Sequence, residues 1–170
     1  MGGRLTLALL AASALVPARA SALRAQARPP RTLVVPPLLA IALSDLSFGT
    51  VLPGVPVSVS VNDVHGSGQF ELQGPADASV RLEFTLPPAL TSEHGAQLTV
   101  RFGAGDGLVS ASRDHLLHAR LFDPHGPVIT TLGADGHLFV RLGGTALPDR
   151  PQEAGSYHAT ISLTVFDLGS

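Results

Sequence analysis

Ser156-Tyr157-His158-Ala159-Thr160-Ile161-Ser162-Leu163-Thr164-Val165-Phe166 alternates along its whole length. In an extended chain Tyr157, Ala159, Ile161, Leu163 and Val165 point one way, and Ser156, His158, Thr160, Ser162 and Thr164 point the other. This period of two predicts a strand with one wet face, and Gly155 stands before it as a turn residue would. The same pattern recurs upstream. Val55, Val57, Val59 and Val61 share one face; Val80, Leu82, Phe84 and Leu86 alternate with Arg81, Glu83 and Thr85; Leu98, Val100 and Phe102 alternate with Thr99 and Arg101. Further strands are expected over 38–46, 69–72, 116–122, 128–132 and 137–142. Eighteen Gly and fourteen Pro leave little room for helices, and Asp106-Gly107 and Asp135-Gly136 suit tight turns. With 170 residues, 45% of them hydrophobic and 14% charged, the chain suits one folded domain. Short strands with closely spaced turn signals predict an all-β sandwich.

The first residues read as an address. Arg4 precedes an apolar run over 5–16, then Pro17 and the small-residue site Ala18-Arg19-Ala20. This is the pattern of a secretory signal peptide, residues 1–20, with Ala20-Ser21-Ala22 as a second cleavage site. Residues 21–37 are then a flexible or extended N-terminal segment and 38–168 the sandwich. An exported chain belongs in the periplasm, at the cell surface or outside the cell. No membrane span is expected later, because Pro36-Pro37 break the apolar stretch 33–43.

Charge and cysteine content exclude several chemistries. Arg4, Arg19, Arg24, Arg28 and Arg31 all precede the first acid, Asp45, so from Asp45 onward six Arg face all thirteen acids. Such a body repels a phosphate backbone, and nucleic acid is not an expected partner. Without Cys there is no disulfide, thiolate metal site or cysteine nucleophile.

The best metal candidates are His115 and His118, with His125, Asp114 and Asp123 nearby. On a strand, residues three apart face opposite sides, so no metal site is assigned to His115, His118 and His125. Gly103-Ala104-Gly105-Asp106-Gly107 lacks the Lys-Ser/Thr of a phosphate loop and reads as a turn. No serine lies in a nucleophile elbow. No catalytic residue and no cofactor is therefore expected.

Four segments appear together in order: Leu46-Ser47-Phe48-Gly49-Thr50-Val51; Phe70-Glu71-Leu72-Gln73-Gly74 with the strand ending at Leu86-Pro87; Leu142-Gly143-Gly144-Thr145-Ala146-Leu147; and Ala154-Gly155-Ser156-Tyr157 leading into Thr160-Ile161-Ser162-Leu163-Thr164-Val165. Across residues 38–168 this order resembles a family of bacterial secreted pilin-like domains, related to chaperone–usher pilins and spore-coat U proteins. The resemblance implies an immunoglobulin-like sandwich completed in polymers by a neighbour's strand. It also implies a structural or adhesive role in a fimbrial appendage or surface layer, with further copies of itself or related subunits, joined by strand addition, and a periplasmic chaperone as partners. The usual pilin disulfide is missing.

Two assembly elements follow. Gly155, Tyr157, Ala159, Ile161, Leu163 and Val165 mark a candidate assembly edge in the last strand. Leu33, Val35, Leu39, Ile41 and Leu43, at every second position, have the pattern of a donated segment. Because Pro36 and Pro37 cannot donate to a ladder, a second reading stays open, in which the stretch from Leu38 is the domain's own first strand. The alternatives to a structural subunit are a self-contained periplasmic ligand-binding sandwich and a small secreted hydrolase or metal-binding protein.

Overall fold

Thirteen strands and no helix are found in residues 37–113 and 119–169, the residues that the computed structural model describes. In chain order they are β1 (Leu39–Ser44), β2 (Val57–Val59), β3 (Gly68–Gln73), β4 (Ser79–Thr85), β5 (Ala89–Ser92), β6 (Gln97–Arg101) and β7 (Gly107–Ser110). The remainder are β8 (Arg120–Phe122), β9 (Val128–Thr131), β10 (His137–Leu142), β11 (Gly144–Leu147), β12 (Tyr157–His158) and β13 (Ser162–Gly169). All described residues fall within one compact unit of the chain. The signal peptide and most of the N-terminal segment expected from the sequence lie outside them.

The strands form three antiparallel sheets, in the orders β1-β3-β10-β7-β8, β13-β4-β9 and β12-β5-β6-β11-β2. The first sheet packs on the second through Leu72, Val109, Leu138 and Val140 on one side and Val80, Leu82 and Val128 on the other, all buried. Alternation in β4 and β10 puts these apolar side chains on the inner faces and leaves Arg81, Glu83 and His137 outside. The result is an all-β sandwich, as the patterning predicts.

The second and third sheets are joined by chain continuity. β4 and β5 are one extended run interrupted at Pro87-Pro88, where prolines cannot supply ladder donors. β13 pairs with β4 through Ser162↔Thr85, and β12 pairs with β5 through Tyr157↔Ser92. The two ladders run in the same sense, slipped by two residues across Ala159–Ile161. Residues 157–169 therefore edge both sheets.

Some strand expectations change. The nine expected strands omit β5, β7 and β11. All four residues of β7 are buried, so the strand has no wet face to create alternation. Gly107 also differs from expectation: it is not a left-handed turn residue, whereas Gly136 of the other expected turn has a φ of 78°. The role of Gly107 is close approach, since a Cβ there would lie 2.5 Å from the Phe122 ring. The expected strand 55–61 shrinks to β2 because Pro56 follows a turn closed by Val55 N–H donating to Leu52 C=O, which leaves Val55 exposed. The expected strand 156–166 is split into β12 and β13 and continues to Gly169. Of 116–122 only β8 is described as strand.

Candidate functional site

The sandwich is open along the side bounded by β1 and residues 157–169. Each of these elements is an edge strand. Ala40 and Ala42 of β1 sit opposite Leu72 and Phe70, so they share the inward face, yet both are exposed. Ile161, Leu163 and Val165 pack inward against the core and are only partly buried. Inward-facing side chains stay wet on both margins because no described strand closes the gap between them.

A groove of about 530 Å³ opens here, bounded by Ala42 and Ser44 of β1, Phe70 of β3 and Tyr157 to Ile161. The segment Leu46-Ser47-Phe48 forms its rim and separates it from a second hollow of about 510 Å³ reaching Val51, Gln152 and Gly155. Tyr157 lines both. Its hydroxyl donates to Glu153 C=O at 2.6 Å and accepts from Gln152 Nε2 at 2.8 Å. Gln152 Nε2 also donates to Gln97 C=O at 3.1 Å, which ties the loop before β12 to β6. These bonds fix where the C-terminal edge begins.

The residues expected to mark an assembly edge lie on or beside the edge strands β12 and β13. Gly155 precedes β12, Tyr157 lies on it, Ala159 is exposed at the break, and Ile161, Leu163 and Val165 form the inward row. The expected donated segment divides differently. Leu33 and Val35 lie outside the described residues, while Leu39, Ile41 and Leu43 belong to β1, which pairs with β3 of the same chain. Leu39 is opposite Gln73 and Ile41 opposite Glu71, so these two lie on the outer face of the first sheet, while Leu43 falls at the irregularity between Ala42 and Ser44. The inward positions are the alanines.

The same outer face carries a polar cluster that sequence reading did not single out. His137 Nδ1 lies 2.8 Å from Glu71 Oε1, which also accepts from Gln73 Nε2 at 3.0 Å. The Glu71 side chain is only 13% exposed, and these two donors, the Gln73 amide first, hold its carboxyl below the ordinary glutamate range. The His137 ring stacks on Phe139 at a centroid distance of 6.3 Å. Buried Arg141 donates to Arg113 C=O at 2.9 Å. The only sequence signal for this cluster is the alternation that puts Glu71 and Gln73 on one face of β3.

Of the histidines weighed for metal, His115 and His118 lie outside the described residues, as does Asp114. His125 is an exposed turn residue whose Nδ1 and backbone N–H both meet Asp123 Oδ1, at 2.9 and 3.0 Å. Those bonds, the backbone one first, lower the Asp123 carboxyl. Of the 103–107 stretch, 103–106 is a turn, closed by Asp106 N–H to Gly103 C=O and by Gly103 N–H to Asp106 Oδ2 at 2.6 Å, and Gly107 begins β7. Among the described residues no helix is long and apolar enough to cross a membrane.

No family model matches this chain, and a search of curated proteins found no match.

Proposed function

We propose that this chain is an exported, non-enzymatic structural or adhesive protein: a pilin-like, immunoglobulin-like sandwich that assembles by strand addition into a surface appendage or layer. The open side carries this reading. A strand laid between β1 and β13 would pair with unpaired main-chain groups and cover Ala40, Ala42, Leu163 and Val165, which face inward without being fully buried. Export rests on the N-terminal run 5–16 and the Ala18-Arg19-Ala20 site. A periplasmic chaperone fits the same picture as a temporary cover for the open edge.

The test is to express the chain with its leader, recover the exported product, and measure its mass across a wide concentration range, beside a product lacking residues 21–37. Concentration-dependent assembly supports a structural subunit. Its loss without 21–37 assigns the donor role to that segment, and monomers at every concentration overturn the reading.

One observation favours the alternative of a ligand-binding sandwich. Phe48, Phe70, Phe102 and Tyr157, half of the eight aromatic side chains of this Trp-free sequence, line the groove, whose volume suits a small organic ligand. Saturable heat on titration with aromatic solutes, abolished by Tyr157→Ala in a folded variant, would favour it.

A further inference from the structure

β13 is the longest strand described, with eight residues, and it is hydrogen-bonded on one side only, to β4. Edge strands usually carry a device that blocks pairing with another chain: shortness, a proline, a charged side chain such as Lys, an inward-pointing charge or a bulge. The other edges have them. β2 and β8 have three residues each, β9 four and β12 two, and Pro37, Pro56 and Pro127 stand at the entries to β1, β2 and β9. From Thr160 to Gly169 there is no Pro, Lys or Arg. The blocking devices of β13 are confined to its end, where Asp167 lies on the inward row opposite buried Val80, its Oδ1 accepts the Gly169 N–H at 2.9 Å, and the ladder to β4 is irregular between Asp167 and Gly169; residues 160–166 carry none. Phe166 and Leu168 are 38% and 50% exposed.

We infer that β13 pairs with β13 of a second copy of this chain, antiparallel about a two-fold axis at Val165. The inference rests on reading the C-terminal strand as an assembly edge, and it names the occupant. The centre of the strand, Thr164 to Phe166, is self-complementary in that register. Thr164 falls opposite Phe166 of the other copy, so this exposed ring meets a short polar side chain that leaves it room. On the inward side Val165 meets Val165 and covers the centre of a row that is now half wet, Leu163 falls opposite the exposed Asp167 of the other copy, and no two like charges come together. The two three-stranded sheets become one of six, β9-β4-β13-β13-β4-β9, and the isologous contact closes on itself. A foreign strand would need to match this pattern, whereas a second copy matches it by construction.

The sequence contains no cysteine, so introduced thiols report alone. The exported chain is prepared as Thr164→Cys and as Phe166→Cys. Oxidising the two together is expected to give more cross-linked dimer than oxidising either alone, because only the mixture sets the thiols directly opposite. In parallel, Thr164→Lys, an exposed position, brings two ammonium groups together across the axis. It is expected to weaken dimerisation roughly tenfold or more while the far-ultraviolet circular dichroism stays that of the parent. Assembly that is unchanged in Thr164→Lys but lost without residues 21–37 overturns this inference and upholds the donated-strand reading. A closed dimer cross-linked between 164 and 166, with no larger species, upholds the inference and counts against a polymerising subunit. A monomer at every concentration overturns both.

Discussion

His137 Nδ1 and Glu71 Oε1 lie 2.8 Å apart across a separation of 66 residues, joining β10 to β3 on the outer face of the first sheet. The carboxylate accepts from Gln73 as well, and its pKa is held below the ordinary value of 4.5. A carboxyl with a depressed folded-state pKa contributes stability that is fully present above the unfolded value and is lost as pH falls through the folded one. Urea midpoints measured from pH 7 to pH 2 are expected to fall below about pH 4.5, and Glu71→Gln is expected to flatten that acid limb. An acid limb unchanged by Glu71→Gln would show that the pair contributes nothing to folding.

Leu82 on β4 is fully buried between the two packed sheets. Truncation to alanine removes its transfer energy and leaves a cavity, at a cost of about 2–5 kcal/mol. Denaturant unfolding of Leu82→Ala should show that loss with an unchanged m-value. A cost near zero would mean that the inner faces collapse around the cavity.

Gly107 touches the Phe122 ring so closely that an added methyl would sit 2.5 Å from it. Overpacking of this kind costs about 1–3 kcal/mol. Gly107→Ala should therefore be destabilised, and Phe122→Leu in the same chain should restore part of the loss by making room. If the double variant is no better than the sum of the singles, the two sites do not share the contact.

Removing the Tyr157 hydroxyl leaves Glu153 C=O without its 2.6 Å donor and Gln152 Nε2 with only Gln97 C=O. Each such bond is worth about 1 kcal/mol net. Tyr157→Phe is expected to lower stability by about 1–2 kcal/mol and to speed hydrogen exchange over 149–158 more than over β10. Uniform exchange across both regions would show that this hydroxyl does not anchor the C-terminal edge.

By itself the sequence determined the strand character of this protein, because alternation is a local property. Side chains two apart share a face whatever the strand pairs with, so residues 80–86, 137–142 and 162–166 announce one wet and one dry side. It also located the C-terminal strand, with Gly155 before it and Ile161, Leu163 and Val165 turned inward. Tertiary structure alone decided the rest. β7 is buried on both faces and loses its period, and β5 stands behind Pro87-Pro88 and so does not show as a continuation of β4. Which face of β1 looks inward was not legible either: Leu39 and Ile41 look like the apolar side, but pairing to β3 sets them beside Gln73 and Glu71 and turns Ala40 and Ala42 to the groove. Register fixes that choice, and register depends on the partner strand, here some thirty residues away. The Glu71–His137 contact and the open side arise the same way, from strands distant in sequence brought to one face or left at one edge.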